Sequence, residues 1–440
     1  MGKGTFSGGV HPWDGKELSK DKPIVRLEPK SEMVFPMAQH IGAPANPVVA
    51  VGDAVLVGQC IGEAGGFVSA NIISSVSGTV KAIEPRQTVS GAKVLSVVID
   101  NDGEYKTVPG FGEKRDYKSL TPQEIRDIIK EAGIVGMGGA GFPTHVKLSP
   151  KEPDKIDYVI ANCAECEPYL TSDYRRMIEE PQKVIDGLKC VLALFDNAKG
   201  ILAVEDNKPD CVKILKDLTK DEDRITVKAL KTKYPQGAER QLIYAATGRA
   251  INSDMLPADA GCIVNNVDTL VAINAAVREN KPLMYRIVTV TGDAIADPRN
   301  FRVRIGTNYH ELVEEAGGFK AEPEKIVNGG PMMGFAIFDL DVPTTKTASA
   351  LLCMTHDEVS EKPESPCINC GRCVDVCPGR VVPSRLADFA ARGDKESFQK
   401  WNGMECCECG CCSFICPAKR QLTQQIKSMR KMVLADRRKK

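Results

Sequence analysis

Cys367-Ile-Asn-Cys370-Gly-Arg-Cys373-Val-Asp-Val-Cys377-Pro378 is echoed later in the chain by Cys406-Cys-Glu-Cys409-Gly-Cys-Cys412-Ser-Phe-Ile-Cys416-Pro417. Each is the bacterial ferredoxin run, in which three closely spaced thiolates wrap one [4Fe–4S] cube and the fourth, before proline, serves the other cube. The ligation is therefore expected to cross. Cys367, Cys370, Cys373 and Cys416 would hold one cluster, and Cys406, Cys409, Cys412 and Cys377 the second. Cys407 and Cys411 open no rival register, because Gly410 and Glu408 stand where their partners would have to be. Zinc hooks pair separate Cys-x-x-Cys units across a longer gap. Disulfide frameworks suit small secreted domains. Between the runs, Pro383–Arg392 and Lys395–Trp401 have helical spacing, so residues 346–440 are expected to form a helical ferredoxin domain with a basic tail. From Lys427 onward that tail reads as a solvated helix end.

The rest of the chain is too long for a ferredoxin alone. Its 440 residues suggest about three domains. A formal net charge of +0 gives no reason to expect a nucleic-acid partner. No apolar run approaches the ~20 residues that span a bilayer, and the first residues lack the apolar core of a secretory signal. The cysteines concentrate between 367 and 416, which fits cluster binding in a reducing compartment. A soluble protein, or one peripheral to a membrane, is expected.

Residues 1–30 read as an extended, glycine- and lysine-rich arm. From Met33 onward, Val48–Gln59 and Ser74–Ile83 alternate as strands broken by glycine turns, giving a small β-sandwich within 1–115. It resembles lipoyl carrier domains, yet the tip Gly66-Phe-Val-Ser-Ala-Asn71 has no lysine to modify, so a structural role is expected. Thr121-Pro-Gln-Glu124 is a capping box that opens a helix. Apolar strands at 158–161, 200–204 and 225–229 then alternate with helical segments, so residues 116–282 should form a layered α/β domain. Strands and one helix at 283–345 suggest a small mixed β module.

Gly136-Met-Gly138-Gly139-Ala-Gly141 formally matches a dinucleotide fingerprint, but it follows a helix and runs into Phe142-Pro143, so the Rossmann context is missing. A loop without side chains still lets backbone N–H groups approach a phosphate or a flat ring. Lys147 would add a fixed positive charge.

This loop through Lys147, then Asn162-Cys-Ala-Glu-Cys-Glu-Pro168, Tyr234-Pro-Gln-Gly-Ala-Glu239 and Val264-Asn-Asn-Val-Asp-Thr-Leu270, resemble in order the flavin-bearing, NADH-oxidising subunit of respiratory complex I. Gly9-Val-His-Pro12, Gln39-His-Ile-Gly-Ala-Pro44 and the twin cysteine runs extend the resemblance over residues 7–425. It points to the C-subunit family of Rnf complexes, the ion-pumping ferredoxin:NAD oxidoreductases. The resemblance implies a multidomain α/β chain. It would comprise an N-terminal barrel-sandwich hybrid, an FMN/NADH-binding α/β domain, a β-grasp (SLBB) module and a helical ferredoxin domain with two [4Fe–4S] clusters.

By position, Gly136, Gly138, Gly139, Lys147, Asn162, Glu165, Tyr234, Asn265 and Asn266 would hold FMN. Phe142 would stack on nicotinamide or adenine, and Glu167 and Glu239 would contact the dinucleotide. Complex I has Arg at Met137, Asp at Ala164 and Glu at Ala238, so the NADH contacts must differ here. Cys163 and Cys166 are expected to pack rather than react, His145 to hydrogen-bond within its loop, and His11 and His40 to be structural. Gly329-Gly330-Pro331 is expected to be a tight turn and nothing more. The implied partners are NAD(H), the iron–sulfur B-subunit, membrane subunits and, indirectly, ferredoxin, at the cytoplasmic face of a bacterial inner membrane. No side chain is required as a catalytic acid or base for hydride transfer, because the flavin supplies that chemistry. Two other readings fit the same motifs. A soluble cobalamin reductase shares the glycine loop and the twin runs but lacks the Gly9-Val-His-Pro12 arm. A relay or scaffold subunit would bind no nucleotide.

Overall fold

Thr121 starts the first helix of the central domain, and its side chain shows why. Its hydroxyl accepts from the Glu124 amide at 3.3 Å, and the Glu124 carboxylate accepts from the Thr121 amide at 2.7 Å. Helix Pro122–Glu131 follows and buries Ile125 and Ile129. The computed structural model that contains it describes residues 4–30 and 32–439.

Four parallel strands form the sheet of this domain, in the order Ile225–Leu230, Lys199–Glu205, Tyr158–Cys163, Cys262–Asn266. Both faces of strands Lys199–Glu205, Tyr158–Cys163 and Cys262–Asn266 are largely buried, as their near-continuous apolar text requires, while the edge strand exposes Thr226 and Lys228. Val159 and Ala161 face helices Pro181–Leu192 and Val267–Glu279, while Ile160 faces helix Glu239–Thr247. The first two helices meet at Gly187, where an added Cβ would lie 2.0 Å from the Leu270 carbonyl oxygen. The sheet grows outward from Tyr158–Cys163 to Ile225–Leu230 and then returns to place Cys262–Asn266 on the other side. In open α/β sheets, ligands bind outside the carboxyl ends of the strands at such a reversal.

The sandwich has one sheet of Met33–Pro36, Lys93–Asn101, Gly78–Gln87 and Ala54–Val55, and a second of Ala45–Pro47, Cys60–Ala64 and Ile72–Ile73. Val48–Val51, expected as strand, is instead loop and turn. The Asp53 carboxylate accepts from the Ala50 amide at 2.8 Å, and Gly52 sits at φ +94°. Met33, Phe35, Ile61 and Ile72 share one continuous core with Ile125 and Ile129.

The β-grasp sheet runs Val25–Leu27, Arg299–Arg304, Tyr285–Thr291, Ala350–Met354, Lys325–Asn328, Phe335–Ile337, with helix Tyr309–Glu315 packed in its core. Two strands fall outside the 283–345 limits read from the sequence. Ala350–Met354 lies inside the sheet, parallel to Tyr285–Thr291, and Val25–Leu27 comes from the arm. Neither is adjacent in sequence to the strand it pairs with, so local pattern alone does not reveal them.

In the last domain the two cysteine runs repeat the same backbone. Asn369, Gly371 and Arg380, and equivalently Glu408, Gly410 and Lys419, all have positive φ. Short helices Arg372–Asp375 and Cys411–Ile415 follow the two glycines. The basic tail is not simply solvated. Helix Leu422–Lys439 buries Leu422, Ile426, Met429 and Val433 against Leu386 and Phe398, and Arg430 pairs with Glu408. Among the described residues no helix is long and apolar enough to cross a membrane.

Candidate flavin cleft and iron–sulfur centres

The carboxyl ends of the central strands gather the sequence motifs at the switch point. Asn162 ends one strand and lies in register with Asn266 on its neighbour. The Asn162 side-chain amide donates to the Gly237 carbonyl at 2.8 Å, and its oxygen accepts from the Ala164 amide at 3.2 Å, so it ties two motif loops together. Asn266 caps helix Val267–Glu279 through the Asp268 amide and donates to Asp173 at 2.7 Å. Lys147 donates to the Val264 carbonyl at 2.9 Å and lies 3.7 Å from Glu239.

The glycine loop closes this cleft. Gly138 passes so near Asn266 that an added Cβ would lie 2.8 Å from the Asn266 Cβ, whereas one on Gly139 would meet nothing within 4 Å. Gly138, Gly139 and Ala140 therefore present open backbone. The Gly136 amide donates to the Phe142 carbonyl at 2.8 Å, and Phe142 is half-buried. Met137 anchors the loop from below. Its amide donates to Thr269 Oγ1 at 3.0 Å, and its carbonyl accepts from Arg286 of the β-grasp sheet at 3.3 Å. Arg286 and Arg176 in turn share Asp268. Burial alone would raise the Asp268 carboxyl, but the two guanidiniums hold it below its usual range.

Three of the residues expected at the site also make structural hydrogen bonds. Glu165 is buried and accepts from the Asp173 amide at 2.7 Å at the start of helix Ser172–Glu179, with Lys16 of the arm 3.9 Å away. Glu167 accepts from the Met332 and Met333 amides at 2.7 and 3.1 Å. The segment after Gly329-Gly330 is thus more than a turn, because it docks the β-grasp module onto the cleft. Tyr234 is fully buried and donates its hydroxyl to the Cys409 carbonyl at 2.6 Å.

Burial pushes the Asp173 carboxyl up to about 7, with Glu165 and Asp268 adding to the rise; Glu165 is raised by burial against the pull of Lys16 and Lys208. Cys163 is buried and Cys166 accepts from the Gly237 amide at 3.2 Å, with burial pushing Cys166 up to about 12, the surroundings of packing thiols rather than of activated ones. The His40 ring accepts from the Ala70 amide at 3.0 Å and is pushed down to about 4, chiefly by burial, so it stays neutral.

The first cysteine set converges. Cys367, Cys370, Cys373 and Cys416 line one cavity together with Ser384 and Arg420. Cys367 and Cys370 are exposed. Of the second set, Cys377, Cys406 and Cys412 gather around one core, which Cys373 and Cys416 also meet; burial chiefly raises Cys412, and Cys406 and Cys377 add to the rise. Cys409 lies instead in a second small core with Val10, Tyr234 and Cys411, with Cys407 packed against it, and the Cys411 thiol donates to the Tyr234 carbonyl at 3.9 Å. Among the described residues, no three His, Cys, Asp or Glu side chains converge as closely as a bound metal ion requires.

The donor chemistry fits the implied groups. Cysteine thiolates are the ligands of cubane clusters. At the switch point the buried Asn265 amide nitrogen and the Gln236 side-chain oxygen have no partner among the described residues, as expected of a cradle that bonds to something else. Lys16, Asp173, Arg176 and Arg286 are absent from the residues expected at the site. Lys16 lies in the glycine-rich arm, and the other three carry no motif, so only the folded arrangement reveals them.

Residues 129–275 match the family model of the Nuo51 FMN-binding domain, residues 4–104 the RnfC barrel sandwich hybrid domain, and residues 287–336 the SLBB domain. The C-subunit of the proton-translocating ferredoxin:NAD(+) oxidoreductase complex of Clostridium ljungdahlii is 45% identical over 97% of this chain and 93% of its own length. The chain belongs to the C-subunit family of these complexes. The Na(+)-translocating counterpart from Acetobacterium woodii is 43% identical, covering 99% of this chain and 98% of that protein. The C-subunit of the ion-translocating oxidoreductase complex of Pseudomonas aeruginosa is 39% identical over 90% of this chain, which spans only 52% of it. Among solved structures, an air-oxidised NAD+-reducing [NiFe]-hydrogenase shares the fold. Its TM-score is 0.52 at 19% identity, covering 73% of this chain and 67% of that one.

Proposed function

We propose that this Rnf-type C-subunit passes electrons between NAD(H) and ferredoxin-linked partner subunits through FMN and two [4Fe–4S] clusters. The supporting observation is the 2.6 Å hydrogen bond from Tyr234, at the edge of the flavin-type cleft, to the carbonyl of Cys409 in the second cysteine run. Pyridine nucleotide exchanges two electrons as hydride and a cubane one at a time, and bound FMN converts between the two modes. The cluster held by Cys406, Cys409, Cys412 and Cys377 is then the neighbour of the flavin. The one held by Cys367, Cys370, Cys373 and Cys416 faces outward, because Cys367 and Cys370 are exposed, and it meets the iron–sulfur partner.

In this reading the open backbone of Gly138 and Gly139, with Lys147, Asn162, Asn265 and Asn266, cradles the FMN, and Gly136 holds the loop. Phe142 and Glu239 stand at the mouth for the dinucleotide. Ion translocation belongs to membrane subunits, and this chain docks on them at the cytoplasmic face. Iron, sulfide and FMN are to be counted after anaerobic reconstitution, and NADH then titrated in. Bleaching of both flavin and cluster absorbance is expected. Unchanged spectra in protein loaded with both groups reject the reading.

A further inference from the structure

The N-terminal arm is an unusual place to find structure. Residues 4–10 carry no apolar periodicity and precede the first strand of the chain, yet they run in a seam between the flavin-type domain and the cysteine runs. On one side the Gly4 carbonyl accepts from the Lys231 amide at 2.8 Å and from Gln236 at 3.0 Å. Lys233 donates to the carbonyls of Phe6 and Gly8 at 2.5 and 2.7 Å, with its ammonium 4.1 Å from the centre of the Phe6 ring. Val10 and Tyr234 exchange both backbone hydrogen bonds, at 2.8 and 2.9 Å. On the other side the Gly9 amide donates to the Val376 carbonyl at 2.8 Å, one residue before Cys377. Tyr234 completes the bridge, bonded to Val10 through its backbone and to Cys409 through its hydroxyl. Val10, Tyr234 and Cys409 share one small apolar core, with Val376 packed against it.

The arm thus grips the backbone beside two residues, Cys377 and Cys409, that come from different cysteine runs and that the ferredoxin spacing assigns to the same cluster. Two glycines make the fit possible. Gly8 and Gly9 have φ of +81° and +86°, and added Cβ atoms would lie 2.9 Å from the Val376 oxygen and 2.7 Å from the Tyr234 oxygen. Side chains there would be strained and would push the arm out of the seam.

We propose that this arm is a positioning brace that fixes the distance between the flavin and its neighbouring cluster, and so sets the rate of electron transfer between them. The inference rests on the function proposed above. Electron transfer falls exponentially with the distance between the two groups, so a cluster held farther from the flavin exchanges electrons with it more slowly. The arm meets the cleft at Gln236 and Tyr234 and, among the described residues, makes no hydrogen bond to the glycine loop, Lys147 or Asn265, so those groups stay in place for hydride delivery when the arm shifts.

The test separates the two steps. Protein loaded with FMN and iron is mixed anaerobically with NADH, and the flavin and cluster absorbance bands are followed separately in G9V and K233M. Flavin reduction at the parent rate, with cluster reduction slowed several-fold in G9V and in the same direction but less in K233M, is the expected result. K233M keeps the test valid should G9V fail to fold. Cluster reduction at the parent rate in the folded variants overturns the brace. Equal slowing of both phases also overturns it, because the arm would then merely support the fold. A parent protein that takes up iron but no flavin instead overturns the proposed function itself.

Discussion

Asn266 and Asp173 are joined by a 2.7 Å hydrogen bond in which the amide donates and the carboxyl oxygen accepts. Asp173 and its neighbour Glu165 are both buried carboxyls raised by that burial, Asp173 to about 7, so the pair holds a proton in the folded chain that the unfolded chain releases near its ordinary carboxylate range. A raised carboxyl makes the native state bind more protons, so its contribution to stability is complete below the unfolded pKa and is lost as pH rises through the folded one. Stability should therefore decline between pH ~4 and ~7 through this pair. The variant D173N keeps the shape and removes the titration. Urea midpoints measured across that range should flatten in D173N, and an unaltered slope would show that the pair is not protonated.

Lys346 gives the opposite sign. It is 1% exposed, and its ammonium donates to the carbonyls of Asn71 and Gly133. Burial pushes it down to about 7, so between pH ~7 and ~10 the unfolded chain binds the extra proton and stability rises with pH. K346M should abolish that rise. It should also loosen the sandwich from the glycine-loop domain, because those carbonyls lose a donor at a cost of ~1–3 kcal/mol each. Denaturant unfolding at pH 7 and pH 9.5 measures both effects.

Glu239 and Glu167 share one expected role, contact with the dinucleotide, and the structure separates their surroundings. Glu239 is 43% exposed in its side chain beside Lys147, whereas Glu167 is committed to two backbone amides of the β-grasp loop. E239Q should raise KM for NADH with little change in FMN content or stability. E167A should lower stability by ~1.5–3 kcal/mol, the scale of charge-assisted hydrogen bonds. Steady-state kinetics with paired denaturation curves tests the contrast, which fails if E167A alters only KM.

What the sequence made legible follows from where each signal is stored. The capping box at Thr121 and the βα alternation are local patterns, and each forms as read. The cysteine spacings are local too, and the first set lines one cavity. The glycine motif is separable from a Rossmann turn because its context is also local. Pairings between distant segments leave no such trace. Val25–Leu27 adds to a sheet whose other strands begin at Tyr285, and Lys16 reaches the carbonyl of Leu170 and the vicinity of Glu165. Motif residues stand out because their types are chemically specific, but which of their atoms are free depends on neighbours. Glu165 and Asn265 look equally available in the sequence. In the fold one caps a helix, while the amide nitrogen of the other is unpartnered.

The crossed ligation makes a sharper prediction than the presence of clusters. Cys416 lines a cavity with Cys367, Cys370 and Cys373 of the other run, and Cys377 joins Cys406 and Cys412, with Cys373 and Cys416, around one core. C416S should therefore remove the outward cluster and C377S the flavin-side one, each variant keeping roughly half the iron. Low-temperature EPR of the reduced protein distinguishes the two, because only C377S should leave flavin reduced by NADH without onward transfer to a cluster. Cys409 shares a small core with Cys411, with Cys407 packed against it, so the same measurement on C409S, C407S and C411S decides which of the three is the ligand. The ferredoxin spacing requires that C409S alone lose the flavin-side cluster. Loss in C407S or C411S, with C409S intact, would overturn the register on which the pairing of the two runs depends.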